Sequence, residues 1–181
     1  MGKTAGVFDR LTTVPAADRP DLLSDTAAAA IGRVVGAEVF EIDPTLADTA
    51  ALCAAYDLPL ETSANCVVVT GRRGATQRHA ACVVLANTRT DVNGVVRRRL
   101  DARKASFADP DFAVAASGME YGGITPIGVP SEWALLVDAT VVSTPVVVVG
   151  SGLRRSKLLV PGAALADLPG AEVVEGLGQP D

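Results

Sequence analysis

Cysteine, histidine and aromatic residues are all scarce in this 181-residue chain, and each shortage removes a class of function. The three cysteines, Cys53, Cys66 and Cys82, are odd in number and have no Cys-x-x-Cys spacing. They support neither a disulfide framework nor a cysteine-rich zinc site, and they fit a reducing compartment. His79 is the single histidine, so a metal site would lack its other ligands and a serine triad would have no choice of base. No Gly-x-Ser-x-Gly elbow occurs, and GRRGATQ at 71–77 lacks the lysine and glycine spacing of a P-loop. The expectation is a protein without metal or cofactor. Long apolar runs are missing too. Mean hydropathy is +0.31, but alanine and valine carry it, and the longest stretch, 133–152, is cut by Asp138 and Pro145. A spanning helix needs about 20 apolar residues, so no membrane association is expected. The opening MGKTAGVFDR has no apolar export segment, which makes the cytoplasm the expected location.

What is present is an ordinary globular composition: 49% hydrophobic and 20% charged residues, enough for one domain with its own core. A net charge of −5 argues against indiscriminate binding of nucleic acid, yet the charge is unevenly spread. Residues 1–62 carry four basic against ten acidic side chains, and 105–181 carry three against nine. Between them, 71–104 carries nine basic residues (Arg72, Arg73, Arg78, Arg89, Arg97, Arg98, Arg99, Arg103 and Lys104) against two acidic ones. Such a concentration either steers one anionic partner to one place or is simply a solvated surface.

Apolar periodicity and turn residues predict the following organisation. A helix begins near Pro20-Asp21 and stops at Gly36, followed by a half-buried strand over 37–42. Asp43-Pro44 starts a second helix that runs to about Tyr56. The runs 66–70 and 80–86 form a hairpin with a longer loop. Asp91 caps a basic helix with an apolar stripe of Val92, Val95, Val96 and Leu100. Asp109-Pro110 starts a helix ending at Gly118, then comes an irregular glycine-rich loop over 119–130. Strands near 134–137, 146–150, 157–160 and 171–174, with a short helix near 162–168, complete a single α+β domain.

The most informative stretch is SGMEYGGITPIGVP at 117–130. Gly122 and Gly123, followed by Thr125, Pro126 and Gly128, suit a fixed loop that approaches a ligand closely or a structural turn. Aimed into a cleft, its amides would stabilise an oxyanion or hold a carboxylate. This loop, with Ser117-Gly118 before it, Val137-Asp138 after it and the strand end Gly150, Ser151, Gly152 and Arg154, resembles the YbaK/ProX-type aminoacyl-tRNA deacylases, which also occur as editing domains of prolyl-tRNA synthetases. The likeness runs from about Thr45 to Val174. It implies a deacylase-like domain over 45–175, preceded by a weakly matched extension over 1–44 and followed by a short tail over 176–181.

The resemblance implies a mixed, barrel-like β-sheet surrounded by helices, and a trans-acting hydrolase of the ester in mischarged tRNA. It places Gly122, Gly123, Thr125 and Asn65 at the catalytic centre. Pro126, Gly128, Asp138, Gly150, Ser151, Gly152 and Lys157 would line the substrate pocket, Asp138 being equally readable as a turn cap. Arg72, Arg73, Arg97, Arg98, Arg99, Arg103 and Lys104 would face the tRNA acceptor end, and a synthetase is a candidate partner. One departure matters. Where the family carries its lysine, this chain has Asn65, a neutral donor, while Lys157 stands where some relatives carry an aspartate. Lys157 is either a surface lysine or a replacement cation reaching the pocket from the opposite side. Two other readings remain open: a binding module that lost hydrolysis with the lysine, and a hydrolase of an acyl ester unconnected with tRNA.

Overall fold

The computed structural model describes residues 6–181. The first five residues of the segment read as free of an export signal lie outside the described residues. In chain order the strands are β1 (Val14–Pro15), β2 (Glu38–Glu41), β3 (Ala64–Arg73), β4 (Thr76–Leu85), β5 (Thr88–Thr90), β6 (Lys104–Phe107), β7 (Ala134–Asp138), β8 (Val146–Gly150), β9 (Ser156–Pro161), β10 (Ala171–Val174) and β11 (Gly178–Pro180). The α-helices are α1 (Asp25–Ala30), α2 (Thr49–Tyr56), α3 (Arg97–Arg99), α4 (Pro110–Ser117) and α5 (Ala139–Ser143).

Two sheets enclose the main core, and a third pairs only β5 with β11. One is antiparallel with strand order β1-β2-β9-β8; the other is mixed with order β10-β7-β4-β3-β6, in which β7 runs parallel to both β4 and β10. Alternation along each strand sends one set of side chains to a shared core. Val68, Ala81, Val83, Leu135 and Val137 from the mixed sheet meet Val39, Val147, Val149, Leu158 and Val160 from the antiparallel one. The opposite faces are covered separately. Val96, Leu100, Ala102 and Leu177 pack on Val69, Cys82 and Val84, while Leu52 and Cys53 of α2 pack with Phe40, Val148 and Leu159. The fold is therefore mixed α+β.

The sheets do not close into the barrel the resemblance implied. They touch through one parallel bridge, Ser63 to Val148. β6 occupies the far half of β3's edge, pairing with Val69 to Arg72, so only the near end of β3 can face β8. A space opens where the two sheets part.

Local expectations fare unevenly. The helix at 110–117 has the expected ends: Asp109 accepts from the amides of Asp111 and Phe112, and Gly118 ends it at φ 68°. The helix expected over 21–35 is broken. Ser24 caps a short α1, with single 3₁₀ turns on both sides. Asp43 caps only a 3₁₀ turn, and α2 starts later with Asp48 as its cap. The hairpin loop shrinks to Gly74-Ala75, because β3 and β4 stay paired through Arg73 and Thr76. Gly74 supplies the positive φ, 59°, that so tight a turn needs. Asp91 caps a π-helical turn, Val92–Val96, that continues into α3, its carboxylate accepting from the amides of Gly94 and Val95. Four short strands, β1, β5, β6 and β11, were not expected. Among the described residues no helix is long and apolar enough to cross a membrane.

Candidate active site

The space between the parting sheets is a cleft of about 760 Å3. Its floor is the near half of β3, from Ala64 to Val68. One wall is the start of α2 with the turn before it, and the other is the glycine-rich loop at Tyr121, Gly122 and Ile124. Gly150 at the end of β8 and Lys157 on β9 close the deep end, and they are register partners. Phe107 and Tyr121 stand at the mouth, 62% and 65% exposed.

Lys157 is only 5% exposed. Its Nζ donates to the carbonyl oxygens of Ala47 (2.9 Å) and Gly122 (3.3 Å), so two of its three hydrogens are committed within the protein. Burial pushes its pKa down to about 8; Asp48 opposes the shift and Arg154 adds to it. Across the cleft, Asn65 Oδ1 accepts from Thr49 Oγ1 at 2.6 Å, which leaves the amide NH₂ as the group with donors to offer. Arg154 spans the two walls: its guanidinium donates to the carbonyls of Tyr121 (2.9 Å) and Pro44 (3.1 Å). The cleft thus gathers Asn65, Gly122, Gly150 and Lys157 from four separate stretches of sequence, and adds Asp48, Thr49 and Arg154.

The twin glycines turn out to be shaped by packing. A Cβ on Gly123 would lie 2.8 Å from the Leu153 backbone, and one on Gly150 would lie 2.6 Å from the carbonyl oxygens of Gly123 and Ile124. Backbone therefore rests directly on backbone. The Gly152 amide donates to Gly123 O at 2.7 Å and the Glu120 amide to Gly152 O at 2.8 Å. Gly123's own amide donates to Glu120 O within the loop, so it is not presented to the cleft. Gly122 faces the cleft, and what it gives there is the carbonyl that accepts from Lys157.

Other expected residues lie elsewhere. Thr125 is fully buried, its Oγ1 accepting from the Ile127 amide, and neither it nor Pro126 borders the cleft. Gly128 packs on α1, where a Cβ would lie 2.4 Å from Thr26 O. Ser151 belongs to a buried hydroxyl pair with Ser156 at 2.7 Å, and Gly152 packs on Ser24. Asp138 caps α5: it accepts from the Thr140 amide at 2.8 Å and, through its other oxygen, from the Gly178 amide at 2.7 Å.

Among the basic residues, Arg72, Arg97, Arg103 and Lys104 surround a second concavity, whereas Arg73 pairs with Asp101 at 2.7 Å, Arg99 pairs with Glu172, and Arg98 is exposed. Cys66 borders the cleft, but burial pushes its thiol pKa up and keeps it protonated. His79 stacks on Phe112 (centroids 4.5 Å) with its Nδ1 against Thr70 Oγ1. No group of three or more metal-ligating side chains occurs among the described residues.

Comparison with known proteins now bears on this geometry. The family model for the aminoacyl-tRNA editing domain matches residues 43–168. The chain belongs to that family. A solved structure of a protein proposed as a trans-editing enzyme for prolyl tRNA synthetase superposes with a TM-score of 0.71 at 22% identity, covering 87% of this chain and 99% of that one. A hypothetical protein superposes at 0.70 with 20% identity, over 82% and 95% of the two chains. At these identities the structures speak for the fold alone. Within this editing domain, sequence reasoning missed Asp48, Thr49, Phe107 and Tyr121. The signal for the first two was the Asp48-Thr49 pair, a helix cap overshadowed by the stronger Asp43-Pro44.

Proposed function

We propose that this editing domain acts in trans on mischarged aminoacyl-tRNA, hydrolysing the ester between amino acid and terminal ribose, with Lys157 providing the cation that Asn65 does not. The observation that carries this reading is that Lys157 and Asn65, distant in sequence, border one cleft, and that Lys157 keeps its amine buried there. Water adds to the ester carbonyl carbon, charge builds on the carbonyl oxygen, the carbon–ribose oxygen bond breaks, and the ribose oxygen takes up a proton. An ammonium in a poorly hydrated site stabilises the developing oxyanion more than a neutral donor would. The Asn65 amide supplies a second donor. The exposed rings of Phe107 and Tyr121 suit stacking of a terminal base at the mouth, and the basic region at 72–104 suits attraction of the tRNA. A synthetase that produces the mischarged species is the class of partner this activity calls for.

The test is a panel of tRNAs, each charged with a non-cognate amino acid, incubated with purified wild type and with Asn65→Lys. Release of amino acid by the wild type supports the proposal. Binding without release, with release gained only in Asn65→Lys, would mean instead a binding module. Release from simple acyl esters that ignores tRNA would mean a different hydrolase.

A further inference from the structure

Four cations, Arg72, Arg97, Arg103 and Lys104, converge on a concavity of about 530 Å3 that also presents Thr70, Asn93 and Ser106. Arg72 comes from the end of β3, Lys104 and Ser106 from β6, and Arg97 from the first residue of α3. The convergence follows from the fold. Gly71 lets the 92–102 segment lie close against β3, since a Cβ there would sit 2.8 Å from Ala102 Cβ. That contact carries Arg97 and Arg103 to the strand edge that already holds Arg72 and Lys104, themselves register partners.

Three basic neighbours are compensated where these four are not. Arg73, Arg78 and Arg99 each have a carboxylate within ion-pair distance, and among the described residues none of the four does. Arg72, Arg103 and Lys104 are exposed and Arg97 is half-buried. Uncompensated positive charge, two hydroxyls and one amide around a hollow form a donor set for phosphate oxygens, with no base-reading geometry. The position completes the argument. β6 begins at Lys104 in this concavity and ends at Phe107 on the mouth of the cleft, three residues or about 10 Å along an extended strand.

We infer that this concavity is a phosphate-binding site for the single-stranded 3′ end of RNA, holding the backbone just ahead of the terminal nucleotide while that nucleotide enters the cleft. The inference deepens the editing reading and rests on it for the choice of RNA. A compact hollow with four cations fits one or two phosphates, not the broad flank of a duplex. β6 would thereby set the spacing between the held phosphate and the terminal base at the mouth.

The experiment uses uncharged RNA, so it does not depend on hydrolysis. Fluorescence anisotropy of the full-length protein would compare a labelled RNA hairpin bearing a single-stranded 3′ overhang with the same hairpin made blunt, across a salt series. Wild type should bind the overhang RNA at least tenfold more tightly. A triple variant, Arg72→Gln with Arg103→Gln and Lys104→Gln, should weaken that binding at least tenfold. Its log–log salt slope should be shallower by about 1, because each phosphate neutralised in a single strand contributes roughly 0.7 and the hollow holds one or two. Arg33→Ala, an exposed arginine outside the basic segment, should bind as wild type does and controls for loss of a positive charge elsewhere on the surface. Equal binding of blunt and overhang RNA, or a triple variant with the wild-type Kd and slope, would overturn the inference. Tight overhang binding by a protein that hydrolyses no charged tRNA would sustain it while removing the editing activity.

Discussion

Lys157 carries its charge where burial penalises it, and that tension makes paired predictions about activity and stability. If the ammonium form is the one that stabilises the oxyanion, activity should fall as pH rises through about 8, tenfold per unit beyond it. The stability effect has the opposite sign. An unfolded lysine holds its proton up to about 10.5, so between pH 8 and that value the unfolded chain binds more protons than the folded one. Stability from this group therefore rises with pH across the window, and below it the buried charge is borne in full. Lys157→Met should lose this dependence and match or exceed the wild-type Tm at pH 7, read by calorimetry at pH 7 and again at about pH 10. A residue kept at a cost to stability points to function. Gly150→Ala makes a contrasting prediction. Its Cβ would meet two carbonyl oxygens at 2.6 Å, so urea unfolding should show a loss of about 1–3 kcal/mol from overpacking. The sequence identified Gly150 and Lys157 as worth attention, but their union in one cleft depends on the β8–β9 register, which no local pattern encodes.

Elements with local instructions were readable, and those defined by partners were not. The helix at 110–117 is written into Asp109-Pro110 and Gly118, and the hairpin into two valine-rich runs. By contrast β6, reading Lys-Ala-Ser-Phe, alternates over only four residues and β11, reading Gly-Gln-Pro, does not alternate at all; they are strands because β3 and β5 lie beside them. The glycine-rich loop shows the same limit at the site. Its Gly-Gly pair was visible, yet whether its peptide groups serve a ligand or the neighbouring strand end depends on the approach of residues 150–153. Asp138 joins two elements at once, capping α5 and receiving the Gly178 amide that positions β11. Asp138→Ala should cost about 1–2 kcal/mol, as loss of a helix cap does, and hydrogen exchange should show faster turnover of the Gly178 amide and of the β5–β11 ribbon.

At the scale of the molecule, the segment before residue 43 lies outside the family match but inside the architecture. Phe40 on β2 is the register partner of Lys157, and α1 packs on Gly128 while Ser24 packs on Gly152. A chain shortened to begin at residue 43 should lose the ordered β9, with a lower Tm and little binding of RNA. Charge is organised on the same scale, acidic at both ends of the chain and basic between, which the sequence displayed directly; that four of the basic residues share a hollow while three find carboxylates needed the fold. The account stands or falls on Lys157. The most direct measurement is single-turnover release of amino acid from a mischarged tRNA by wild type and by Lys157→Met at pH 7. The account predicts a loss of at least 10²-fold, the scale of one oxyanion donor, in a protein that remains folded. A folded Lys157→Met that releases amino acid at the wild-type rate would contradict it.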